Sequence, residues 1–451
     1  MDEQNKLKRE IGLFGGVSIL TGIMVGSGIF FIGAHVLMRV QFSMGLALLV
    51  WLIGGLITLM YGLIYGELGA MMPEAGGYYI YLKKAYGKPV AFMSGFTNFA
   101  LLSSGSIAVL ALAFAQILSN LFWNMFGFVL SGPWQVLLAA FLIIGLSILN
   151  FFGIRLGTMM QKIFLVVKAI PIFFILVLGF MLGTQSIEWS FGIADVSIWS
   201  FFSMVGFAVI ATFWAYEGWT NLNSVAGEVR NPGRTIPLSL VATILSVTAL
   251  YVLFNMSIFR VLSVADLRTM IEAGEYFIGI PAAMTILGTF GLYLVMITML
   301  ISVFGALNGT IMAFPRVYYA MSKDNIFIDK FKEIHPKYQT PVYAIFGSGF
   351  MAILLLAFSL QDLISMVAFG ALVFNTLIFI SLFIFRKKMP DAERPYKVWG
   401  YPYLPVVAIA ITLFLLVATF AEDVRSSIIG TIFVLLGLPI YYLIELLKNI
   451  K

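Results

Sequence analysis

Thr21-Gly22-Ile23-Met24-Val25-Gly26-Ser27-Gly28-Ile29-Phe30-Phe31 interrupts a long apolar run with glycines where an ordinary membrane helix carries leucines. Glycine has the weakest helix propensity apart from proline, so Gly26-Ser27-Gly28 in mid-span invites the backbone to open. Open backbone at membrane depth is tolerable only where its amides and carbonyls line a cavity or meet a ligand. The amides that start the following half-helix form an anion site, helped by the helix dipole. A second reading of the same residues is a close helix contact, since Gly22 and Gly26 have the Gly-x-x-x-Gly spacing. The rest of the chain decides between the two.

Of the 451 residues, 61% are hydrophobic and 11% charged, and the mean hydropathy is +1.01. Soluble domains carry about 25% charged residues, so the expectation is an all-α polytopic membrane protein. Cysteine is absent, which excludes disulfides, thiolate nucleophiles and Cys-based metal sites. His35 and His335 are too far apart in sequence to suggest a metal cluster, and no cofactor is expected. The N-terminal MDEQNKLKRE lacks the short apolar region and cleavage site of a signal peptide.

Twelve apolar segments are long enough to span, at about 11–39, 43–70, 89–120, 133–153, 157–183, 200–228, 235–261, 283–321, 340–360, 362–386, 401–421 and 425–446. With that count, 22 of the 27 lysines and arginines fall in both tails, one set of alternate loops and the span ends that adjoin them. Only Arg39, Arg260, Arg268 and Arg425 fall in the opposite set, and Lys168 lies inside a span. The positive-inside rule then puts both termini in the cytoplasm. The net charge of +6 follows from this placement and does not point to nucleic acid. Segment 76–87 mixes aromatics with lysines and reads as an interfacial helix, and Asp324 to Lys337 reads as a second such segment.

The first ten spans invite a test for internal symmetry. Two successive five-helix units must sit in the membrane with opposite orientation, so span six should mirror span one and break in its middle. Phe213-Trp214-Ala215-Tyr216-Glu217-Gly218-Trp219 supplies a carboxylate and a glycine near that centre. An acidic side chain at such depth is costly and marks function by default, the alternative being a Glu paired for packing. Lys168 lies about 16 Å into span five at about 1.5 Å per residue, too deep for easy snorkelling. It reads as a structural pin, a cation substitute or a proton carrier, and spacing does not rank these.

Several motifs also carry a family resemblance. Glu67-Leu68-Gly69 followed by Pro73-Glu74-Ala75-Gly76-Gly77-Tyr78-Tyr79-Ile80-Tyr81 resembles the amino-acid permease signature. Gly26-Ser27-Gly28 resembles the substrate loop of the amino acid–polyamine–organocation superfamily. Trp214 to Trp219 with Glu228-Val229-Arg230-Asn231-Pro232, Phe304 to Gly309, and Arg394-Pro395-Tyr396-Lys397 are similar to the L-type amino acid transporters. The likeness runs through nearly the whole chain. It implies the leucine-transporter-like fold: a five-plus-five inverted repeat with discontinuous helices 1 and 6, plus two extra helices, working by alternating access. Residues 1–10 would be a cytoplasmic tail, 11–183 the first repeat, 200–386 the second, and 387–451 helices 11 and 12 with the C-terminal tail.

The resemblance also implies roles. The substrate α-carboxylate would sit on the amides and hydroxyl around Ser27 and Gly28. Its α-ammonium would meet carbonyls of Met24, Trp214 and Glu217, with Trp214 closing as a gate. Gly26, Gly28, Ala215 and Gly305 leave room, and Tyr216 and Gly218 complete the span-six stretch. Lys168 falls where sodium-independent relatives place a lysine, and its amine would bridge Gly22 to Ser302. Ser103, Ser104, Asn308 and Asn375 are polar pocket candidates, with inter-helix contacts as the alternative. The expected function is sodium-independent exchange of L-amino acids, neutral ones above all, across the cytoplasmic membrane of a prokaryote. No disulfide-linked heavy chain is expected. The near rival is a proton-coupled symporter using Lys168 or Glu217. A channel is the remote one, because two isolated breaks do not make a polar pore. No nucleophile–base pair suggests an enzyme.

Overall fold

The computed structural model describes residues 9–26, 28–192 and 196–449. These residues are mostly helical, without a strand; a single bridge pairs Ile11 with Val229. Helices α1 (Leu13–Met24) and α2 (Gly28–Arg39) form a pair bent by 51° at the glycine stretch. The Ser43 hydroxyl then caps α3 (Met44–Met71) by accepting from the Leu46 amide. Gly76 and Gly77, at φ of +109° and +48°, turn the chain into α4 (Tyr78–Tyr86), conformations that a side chain would strain. A π-helical turn, Asn98–Leu102, joins α5 (Lys88–Thr97) to α6 (Ser103–Phe126). Two long helices follow, α7 (Gly132–Phe151) and α8 (Ile154–Leu182).

The second half begins with α9 (Ile198–Tyr216), the one-turn α10 (Asn221–Ser224) and α11 (Pro232–Val261). A capping box of Ser263 and Asp266 starts α12 (Val264–Glu272), ahead of α13 (Gly279–Leu287) and α14 (Thr289–Ala313). Then come α15 (Pro315–Lys323), α16 (Val342–Leu355) and α17 (Leu360–Lys388), followed by α18 (Tyr403–Glu422) and α19 (Val424–Asn449).

Ten helical segments of the described residues are long and apolar enough to cross a membrane, and the α1–α2 pair taken as one span makes eleven. A twelfth span would have to be α16. Its 14 residues reach about 21 Å, against a hydrocarbon core of about 30 Å. The outside of the bundle is apolar: Phe141, Phe173 and Phe350 are each more than 60% exposed. Such a surface faces lipid rather than water.

Two stretches depart from the sequence reading. The sixth expected span, 200–228, is helical only to Tyr216 before α10 and a short 3-10 turn at Ala226–Glu228. Segment 76–87 does form a helix, α4, but Asp324 to Lys337 does not. That segment contains one 3-10 turn, Asp329–Lys332, tied back where the Ser322 hydroxyl donates to the Ile328 and Asp329 carbonyls. Asn325 at φ +56° and Pro336 interrupt any longer helix there.

Buried ion pairs fasten one end of the bundle. Glu67 of α3 accepts from Arg386 at 2.7 Å and from the Val398 amide at 2.6 Å, with Arg394 3.4 Å away. Glu228 pairs with Arg316 of α15 at 2.8 Å, both 1% exposed. The Glu10 and Ile11 amides donate to the Glu228 carbonyl, and the Arg230 amide returns a bond to Ile11. The start of α1 is thereby joined to the segment that follows α10.

Candidate functional site

The site is built where α1 and α9 stop. Glycines leave the first stop bare of side chains, and the Gly26 amide turns back onto the Met24 carbonyl. At the second stop Glu217 is extended, and Gly218 takes φ +115°, where a Cβ would come within 2.5 Å of Ile23. Gly28 allows the same closeness from the other side: a Cβ there would meet Ala215 Cα and Cβ at 3.1 Å. The Tyr251 hydroxyl of α11 lies 2.7 Å from the Met24 carbonyl and 2.8 Å from that of Ala215, so it ties both helix ends together. Helix-terminal carbonyls lack intrahelical donors, and the buried tyrosine hydroxyl supplies one.

A partly open cavity lies between these ends. Met24, Gly26 and Gly28 line one wall; Trp214, Ala215, Glu217 and Gly218 line the facing one. Ser27 lies outside the described residues. Glu217 is exposed to this space and makes no ion pair among the described residues. Tyr216 is buried elsewhere and donates to the Trp51 carbonyl at 2.8 Å. The arrangement can therefore offer backbone amides at the start of α2, backbone carbonyls at the end of α9, and one carboxylate, within a single apolar-walled space.

Lys168 is fully buried on α8. Its ammonium donates to the Gly22 carbonyl at 2.8 Å and to the Val25 carbonyl at 2.5 Å. The expected bridge to Ser302 is not made: the Ser302 hydroxyl is buried without a partner. The physical reason is the C-terminal end of α1, whose free carbonyls and negative dipole end attract a cation more strongly than a neutral hydroxyl does.

The four further polar candidates stand outside the cavity lining. Ser104 donates to the Phe99 carbonyl inside the π turn, and Ser103 is buried beside it. Asn308 accepts from Asn150 at 2.8 Å, and Asn375 accepts from Tyr65 at 2.8 Å. Gly305 of α14 packs against Phe164 of α8. Ser106, Leu110, Asn221, Thr310 and Phe314 line the cavity instead. Ser106 and Thr310 sit two residues beyond Ser104 and Asn308, so the sequence signal was the right helix with the wrong face. Tyr251 left no signal, being one of 19 tyrosines. No group of three or more His, Asp or Glu suited to a metal occurs among the described residues.

Comparisons with known proteins match nearly the whole sequence. A family model described as amino acid permease matches residues 11–443. The chain is 33% identical to the serine/threonine exchanger SteT of Bacillus subtilis, over 98% of each protein. It is 30% identical to the human b(0,+)-type amino acid transporter 1, over 97% of this chain and 88% of the relative. The human cystine/glutamate transporter is also 30% identical, over 98% of this chain and 86% of the relative.

Proposed function

The chain belongs to the amino acid permease family, and we propose that it is a sodium-independent exchanger of L-amino acids, neutral ones above all. As a permease it is a membrane transporter and not an enzyme. Its fold in this reading is twelve spans, with an inverted repeat of 11–183 and 200–386 and two extra helices in 387–451. The α1–α2 pair and the α9–α10 stretch are the discontinuous spans one and six, and α16 is a short span nine. The asymmetry of basic residues supports two cytoplasmic termini in a plasma membrane. The chain has no cysteine with which to tether a heavy chain.

One observation carries the reading: the ends of α1 and α9 face each other across one cavity, where Gly26, Gly28 and Gly218 leave the backbone uncovered and Glu217 adds a carboxylate. Free amides at the start of α2, including Gly28, suit a carboxylate. The Met24 carbonyl already accepts from Tyr251 and from the Gly26 amide, so the Glu217 carboxylate is the group that suits an ammonium. A zwitterionic α-amino acid carries both charges, and Trp214 lines the same cavity. Exchange is supported by the relatives, one of which is named a serine/threonine exchanger. Sodium independence is supported by Lys168, whose tethered ammonium already holds the carbonyls that a sodium ion would need.

Competition by altered substrates tests this reading. α-Amides and decarboxylated amines should fail to displace a bound neutral amino acid. An amine that competes as well as its parent would overturn the carboxylate site. Proton-coupled symport is the second reading, favoured by Glu217 standing unpaired in the cavity and Lys168 buried without a carboxylate. Collapse of accumulation by a protonophore would select it over exchange.

A further inference from the structure

Gln161 lies on the same helix as Lys168, two turns nearer its N-terminus, and is completely buried. Its Nε2 donates to the Gly305 carbonyl of α14 at 2.6 Å, while its Oε1 has no partner. Two glycines make room for this amide. A Cβ on Gly22 of α1 would overlap Oε1, and a Cβ on Gly309 of α14 would come within 2.8 Å of Nε2. Gly22 is also the residue whose carbonyl takes the Lys168 ammonium. One face of α8 therefore holds Gly22 twice, by an amide against its Cα and by an ammonium on its carbonyl.

A leucine would fill the same space without burying an unpaired oxygen, so packing alone does not account for an amide here. We propose that Gln161 is a positioning residue for transport, one that keys α1 to α14 in this arrangement of the helices. Its amide is half satisfied while α1 is seated, and its oxygen gains a donor when α1 withdraws and water enters. The balance between the seated and withdrawn arrangements then depends on this side chain. The inference rests on the alternating-access reading above, but its packing half does not.

The experiment is a double-mutant cycle in the full-length protein, read by melting temperature and by counterflow in proteoliposomes. Gly22→Ala should push the amide off Gly305, lower the melting temperature and slow turnover about tenfold. Gln161→Ala makes room for the new methyl group, so the double variant should be no worse than Gln161→Ala alone. Gln161→Leu keeps the volume without the hydrogen bond; it should fold normally yet shift the ratio of internal to external half-saturation at least threefold. Multiplicative losses in the double variant, or an unchanged ratio in Gln161→Leu, would overturn the proposal. Coupled melting with no amino acid flux in the wild type would instead overturn the transport reading and leave only the packing key.

Discussion

Lys168→Met removes a charge and keeps most of the side-chain volume. It leaves the Gly22 and Val25 carbonyls without the donor they have at 2.8 and 2.5 Å. Hydrogen bonds to a charged group contribute about 1.5–3 kcal/mol each, so the two together give a ceiling of about 3–6 kcal/mol. Desolvating the buried ammonium offsets part of this. A net loss of about 3 kcal/mol is a sensible working figure, which is roughly a 150-fold change in the equilibrium that seats α1 on α8. Exchange should therefore slow by about two orders of magnitude. Expression and membrane insertion should hold, because removing a mid-span charge favours insertion. The assay is counterflow of a labelled neutral amino acid into proteoliposomes, with sodium or choline outside. Wild-type flux should not respond to the cation. Flux in Lys168→Met within threefold of wild type would refute the assignment, as would stimulation of the wild type by sodium.

Three other outcomes follow from the geometry. Gly28→Val places branched carbons where even a Cβ would lie 3.1 Å from Ala215, so flux should vanish while the protein still inserts, as counterflow and a membrane-fraction blot would show. Glu217→Gln removes the only carboxylate lining the cavity among the described residues; competition by lysine or arginine should weaken about tenfold, and an unchanged profile would make Glu217 a packing residue. Arg316→Met strands the buried Glu228 carboxylate, at a cost of about 3–5 kcal/mol, visible as a lowered melting temperature that Glu228→Gln in the same chain partly restores.

Much of the site was legible because glycine and buried charge are loud signals in an apolar chain. Gly26 and Gly28, and Glu217 with Gly218, stood where ordinary spans carry leucine, and the helices stop beside both. The depth of Lys168 followed from counting residues, but its partners did not. The choice of Val25 over Ser302 depends on where α1 ends and which carbonyls are left free, and that is set by three-dimensional packing. Tyr251 and Gln161 were hidden for a related reason: a tyrosine or glutamine in a long span is weakly informative until its neighbours are known. Asp324 to Lys337 misled because mixed charges and aromatics fit an interfacial helix and a tied-down loop equally well. In α16, apolar composition marked a spanning segment, while the helix itself begins only after Pro341 and ends at Leu355.

The central claim is that an amino acid crosses through the cavity between α1 and α9 only in exchange for another. Its most direct test is uptake of a labelled neutral amino acid into sealed proteoliposomes, with or without the unlabelled amino acid inside, in sodium-free buffer at equal pH on both sides. The account predicts uptake that saturates, rises at least tenfold with internal substrate, and is absent in Gly28→Val. Uptake that is equal in empty and loaded vesicles, or that needs sodium, would contradict it.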